Sequence, residues 1–200
     1  TMELLILNGI VNGLIVGSVY ALIGVSLTLL YGVLRVVNFA HGEFVIAGSF
    51  FAYVLFTGLG VPPLLALPVA AIAFFAAGWG LYYVLIPRLS RSDDPELMSF
   101  LMFYGVSITA AALMLLLFEA DSHSIDYSFT PISLQVGPIY VSTARLVALA
   151  ITVAISAALA VFLFRTLPGK ALRAAIMNPE AIQIVGVDIV RLSAFAFALA

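Results

Sequence analysis

The chain has 200 residues, 64% of them hydrophobic and 9% charged, with 8 Lys and Arg against 10 Asp and Glu for a net charge of −2. A soluble domain is about 45–50% apolar and about 25% charged, so this composition, with a mean hydropathy of +1.22, marks an integral membrane protein. The lack of cysteine excludes disulfides, thiolate metal sites and cysteine nucleophiles, and no basic excess invites a nucleic-acid partner.

In chain order, the first charge is Glu3 and the next is Arg35, so Leu4 to Leu34 runs uncharged. A cleaved signal peptide needs a basic start and a short apolar stretch, so the N-terminus is expected to be a mature membrane segment. Gly9, Gly13, Gly17 and Ala21 recur every fourth residue in LILNGIVNGLIVGSVYAL. That repeat makes a smooth ridge where another helix can approach closely, a helix-packing seam on which Asn8 and Asn12 are expected to donate hydrogen bonds between helices.

Next comes VVNFAHGEF, residues 36 to 44, which sets an asparagine, a histidine, a glycine and a glutamate between apolar runs. The run before it amounts to about 46 Å of helix and Phe44 to Thr57 to about 21 Å, against a hydrocarbon core of about 30 Å. A second helix starting near Val36 reconciles the two, and places Asn38, His41 and Glu43 at or inside the membrane boundary. Irregular backbone at that depth belongs against protein or a water-filled cavity, and short Gly-interrupted segments point to transport sites. Asn38, His41 and Glu43 are therefore candidates for a translocation path or gate, with Asn38 and His41 able to share a face. The plainer reading is that Asn38 or His41 caps a helix and Glu43 complements its N-terminal dipole.

Phe44 to Pro87 amounts to about 66 Å of helix and must cross twice, turning at TGLGVPP, residues 57 to 63. The expected spans lie near 7–30, 36–57, 64–86, 97–118 and 146–164, with a sixth from 192 onward. The fold class is then an all-α polytopic transmembrane bundle, a single transmembrane domain over 1–200. Because the run from Leu192 to Ala200 is shorter than the ~20 residues a span needs, the chain is expected to continue.

Arg165, Lys170, Arg173 and Arg191 place the segment 165–191 on the cytoplasmic side by the positive-inside rule. The segment 119–144 carries Glu119, Asp121 and Asp126 and no Lys or Arg, with turn signals at Pro131, Gly137 and Pro138, so it faces outside. Counting back places the N-terminus outside. In PGKALRAAIMNPEAIQIVGVDIVR, Asn178 is a good N-cap, Pro179 suits the first helical position, Glu180 agrees with the dipole and Gly186 can end the helix. Such a short capped helix serves either as an interfacial anchor or as a docking element for a cytoplasmic partner.

No catalytic or metal-spaced cluster occurs. LPGKAL lacks the first glycine and the terminal hydroxyl of a phosphate-binding loop, so nucleotide hydrolysis is not expected on this chain, and neither a cofactor nor a metal is implied.

NGIVNGLIVGSVYALIGVSLTLLYGVLRVVNFAHGEFVIAG at 8–48 and GKALRAAIMNPEAIQIVGVDIVR at 169–191 together resemble the LivH-type permeases of bacterial and archaeal branched-chain amino acid ABC importers. NFAHGE carries much of that resemblance. Glu180, Ala181 and Gly186 match the E-A-x-x-x-x-G spacing by which such permeases engage ATPases, while Ile182 stands where a second alanine is usual and no I-x-L-P follows. The resemblance implies a multi-pass protein of the cytoplasmic membrane, a second LivM-like permease, two ABC ATPase subunits and an extracytoplasmic substrate-binding protein, with Asn178 to Gly186 as the coupling element. Relatives for urea or short amides share the NFAHGE-like block, so the cargo stays open. The competing classes are a secondary transporter or channel, which would need intramembrane charges, and a purely structural subunit.

Overall fold

The computed structural model describes residues 2–89, 91–125, 127, 133–136 and 139–200. In chain order these form α1 (Met2–Leu34), α2 (His41–Leu59), α3 (Pro63–Leu89), α4 (Pro95–Phe118), β1 (Ser133–Val136), β2 (Ile139–Ser142), α5 (Thr143–Arg165), α6 (Leu167–Met177), α7 (Pro179–Ile184) and α8 (Ile189–Leu199). Five helices, α1 to α5, are long and apolar enough to cross a membrane. Large apolar side chains stand outward, with Ile72, Leu116 and Leu117 all over 70% exposed. A surface of that kind suits hydrocarbon as its solvent, and the helical membrane fold expected from composition is the one observed.

Two compact units divide the chain, residues 1–26 with 128–173, and residues 27–127 with 174–200. Two of the three boundaries fall inside α1 and α6, and the third lies between α4 and β1. In the first unit β1 and β2 pair antiparallel, Ser133 opposite Ser142 and Val136 opposite Ile139, an element the sequence reading left as loop. The turn marks Pro131, Gly137 and Pro138, and the acidic Asp126, lie outside the described residues. α5 ends at a tight corner into α6, where Thr166 Oγ1 donates to Phe162 O at 2.7 Å and accepts from Gly169 N at 3.2 Å. A Cβ at Gly169 would lie 2.2 Å from Phe162 O and 2.6 Å from Leu163 Cα, so only glycine fits there without opening the corner. Arg173 locks the same corner, its Nε donating to Leu163 O at 3.0 Å and its guanidinium lying 4.6 Å from the Phe164 ring centre.

The second unit is built on a core of Leu30, Val36, Ala40, Tyr82, Leu89, Phe103, Ala194 and Phe197. α8 packs closely on α3: a Cβ at Gly78 would stand 3.0 Å from Ala198 Cα, the close approach that a small residue permits. At the end of α1, Gly32 likewise lies under Ile176.

Two helix starts and the number of helices in one segment differ from the sequence reading. α2 begins at His41 rather than near Val36, because Arg35 turns to a φ of 54° and Val36 and Ala40 are drawn into the core. The segment read as carrying a single short helix holds two, α6 and α7. α8 begins at Ile189 rather than Leu192, because Asp188 caps it, accepting from Val190 N at 3.0 Å and Arg191 N at 3.1 Å.

Candidate functional site

Between α1 and α2 the chain runs irregularly from Arg35 to Ala40. Asn38 does not cap α2; its Oδ1 accepts from Ala40 N at 3.0 Å, closing a side-chain turn one step earlier. The cap position falls to Ala40, which supplies no side-chain bond and is fully buried. His41 follows at 8% exposure, so the structure places it in the protein rather than toward lipid. Asn38 is half-buried and committed to its turn, so the two do not form the open polar face that their spacing allowed.

Glu43 stands in the first turn of α2, as the dipole argument expects, and Ser107 Oγ of α4 donates to its Oε1 at 3.3 Å. The same helix holds the rest of the segment. Ser99, fully buried, accepts from Val37 N at 3.3 Å and donates to Glu96 O at 2.7 Å. Phe100 meets the Phe39 ring edge-on at 4.4 Å between centres, and Tyr31 OH reaches Glu96 Oε1 at 3.1 Å. A shallow depression beside this contact is lined by Val37, Asp94, Glu96, Leu97 and Phe100. The α4 side chains that grip the segment were missed by the sequence reading, and nothing local to positions 99, 100 or 107 marks them.

The second region assembles itself. Asn178 Oδ1 accepts from Glu180 N at 3.1 Å and Ala181 N at 3.0 Å, with Pro179 in the first turn, which is the cap expected from the sequence. At the other end Gly186, at a φ of 86°, donates to Gln183 O at 3.0 Å while Val187 N reaches Ile182 O at 3.3 Å, the paired closure of a Schellman motif. Ile182 is buried at 5% and pins the helix, whereas Met177, Ile184 and Val185 are more than 75% exposed.

The seam residues Gly9, Gly13, Gly17 and Ala21 are exposed, and a Cβ at any of the three glycines would meet nothing within 4 Å. The structure brings no neighbour of this chain onto them. Asn12 does bond between helices, but as the acceptor from the Arg145 guanidinium of α5 rather than as the donor expected; its Nδ2 donates within α1, to Asn8 O at 2.9 Å.

The profile of a family described as "Branched-chain amino acid transport system / permease component" matches residues 9–200. Among curated relatives, the high-affinity branched-chain amino acid transport system permease protein BraD of Pseudomonas aeruginosa is 27% identical over 96% of this chain and 66% of its own length. The probable branched-chain amino acid transport permease protein LivH of Methanocaldococcus jannaschii is 28% identical over 98% of this chain and 62% of its own. The LivH permease of Escherichia coli is 42% identical over 48 residues, 24% of this chain and 16% of its own length. The chain thus spans somewhat under two thirds of the length of the first two relatives. No solved structure matches it.

Proposed function

The chain belongs to the permease-component family of branched-chain amino acid transport systems, and from that premise we propose that it is the membrane-spanning part of an ABC importer for branched-chain or related neutral amino acids. It resides in the cytoplasmic membrane and works with a second, LivM-like permease, two ATPase subunits and an extracytoplasmic binding protein. The observation that carries the reading is α7: a helix capped at both ends by its own residues, with Met177, Ile184 and Val185 exposed around it, is suited to transmit force from an ATPase. Asn178, Pro179, Glu180, Ala181 and Gly186 form that coupling element.

Asn38, His41 and Glu43 act as the gate of the path. The irregular stretch from Arg35 to Ala40 is a hinge between two long helices, and Glu43 with Ser107 is its half-buried polar pair. Nucleotide binding on the ATPase favours one permease state and so biases the gate.

Reconstitution of the full-length permease with its partners tests this reading. ATP-dependent uptake of a neutral amino acid is expected, with Asn38→Ala and His41→Ala each slowing uptake in complexes that still assemble. Gly186→Trp is expected to uncouple ATP hydrolysis from uptake without affecting membrane insertion. Unchanged uptake in assembled Asn38→Ala and His41→Ala complexes would reduce the segment to an anchor, and unchanged coupling in Gly186→Trp would do the same for α7.

A further inference from the structure

Arg145 has no explanation in the fold alone. By the reading of charges near the spans, every Lys and Arg other than Arg145 falls at a cytoplasmic end. Arg145 stands at the external start of α5, against the bias that keeps such cations inside. It also sits in the first turn of that helix, where the dipole opposes a cation and favours an anion.

Among the described residues the one ion pair is that of Arg191 with Asp188, and no acidic residue occurs in the first turn of α5. The guanidinium instead donates to Asn12 Oδ1, and Asn12 is held for that task by its own bond to Asn8 O. Asn12 lies about 15 Å of helix beyond Met2, inside the apolar run of α1. The pairing therefore draws a cation along the apolar surface rather than leaving it in the headgroup water, where long cationic side chains ordinarily extend.

Space adjoins the pair, because the ridge carrying Gly9 and Gly13 is exposed and a Cβ at either would touch nothing within 4 Å. An arginine carries five N–H donors in a planar fork, and a single one is committed to Asn12. The remainder match a carboxylate in two-pronged fashion.

We infer that Arg145, oriented by Asn12, is a carboxylate-binding station at the external start of α5, taking the α-carboxylate of the arriving amino acid. The inference rests on the permease reading above and adds a recognition residue to it. The carboxylate enters from the binding protein, bonds to the guanidinium beside the small-residue ridge, and is then released inward. Asn12 is a positioning residue, fixing the fork without touching cargo.

The test uses the full-length permease with its permease partner, ATPases and binding protein in proteoliposomes, with radiolabelled leucine as probe. Arg145→Gln is expected to lower uptake at least tenfold while ATP hydrolysis stimulated by the loaded binding protein stays within twofold. Arg145→Lys should recover part of the uptake, since it keeps the charge and loses the fork, and Asn12→Ala should fall between. Uptake by Arg145→Gln at the unmodified rate overturns the station. A parallel loss of assembly and of stimulated hydrolysis, varying with the share of anionic lipid, overturns it in favour of a lipid-phosphate anchor. Absence of ATP-dependent uptake in the unmodified complex instead overturns the permease reading itself, and the station with it.

Discussion

Residues 36–44 and residues 178–191 are both short polar interruptions of an apolar chain, and they are held in opposite ways. In the first, Asn38 Oδ1 accepts from Ala40 N, and Ser99, Phe100 and Ser107 of α4 grip the segment from outside. The second carries its own caps at Asn178, Gly186 and Asp188 and presents an exposed tip. A segment held by tertiary contacts moves when its neighbours move, which suits a gate. A segment that holds its own shape transmits a push, which suits a coupling element.

The contrast is broken most forcibly from beneath the first segment. Phe103 is 1% exposed in the core that contains Val36 and Ala40, and Phe103→Ala is expected to destabilise the bundle by about 3 kcal/mol. Hydrogen exchange should then quicken at the backbone amides of residues 36–44 and not at α7. Equal loosening of both segments would mean that they form one cooperative unit.

A smaller effect is expected at the end of α7. Gly186 sits at a φ of 86°, where a β-branched side chain is strained, so Gly186→Val should cost about 2 kcal/mol and open the Val187 to Ile182 bond while leaving α2 unchanged. Protection at Val187 matching that of the unmodified chain would contradict the closure described.

The two asparagines give the sharpest comparison. Asn178→Ala removes a cap that serves two amides and is expected to cost about 1 kcal/mol, speeding exchange at Glu180 and Ala181 about fivefold. Asn38→Ala removes one hydrogen bond from a segment that α4 still holds, so about 0.5 kcal/mol is expected, with exchange at Phe44 little changed. If Asn38→Ala proves the costlier of the two by thermal melting of the complex, the first segment is held locally after all.

How much was legible follows the same division. Asn178, Pro179 and Gly186 were read correctly because a cap acts within about four residues, and the residue types needed are visible side by side. Asp188 was equally legible in principle, an N-cap residue just before an apolar run, but the arginine beyond it drew the boundary to Leu192. The start of α2 was misplaced because matching helix length to membrane thickness treats the chain as a rod, whereas Val36 and Ala40 leave the helix to fill a core built from α1, α3, α4 and α8. Gly169 stood in plain view within LPGKAL, yet its reason is a carbonyl of the preceding helix that the corner folds back against it.

By itself the sequence determined the solvent, the helical class, the approximate extents of the five long apolar helices and the self-capped α7, since these rest on composition, apolar run length and caps, all short-range properties. Only the tertiary structure decided that Asn38 is spent on a turn, that His41 is buried, that Ser99 and Ser107 grip the candidate gate, and that Asn12 reaches Arg145. Each of these joins residues brought together by packing, and in a chain so uniformly apolar the pattern of one helix carries no mark of which side chain its neighbour will present.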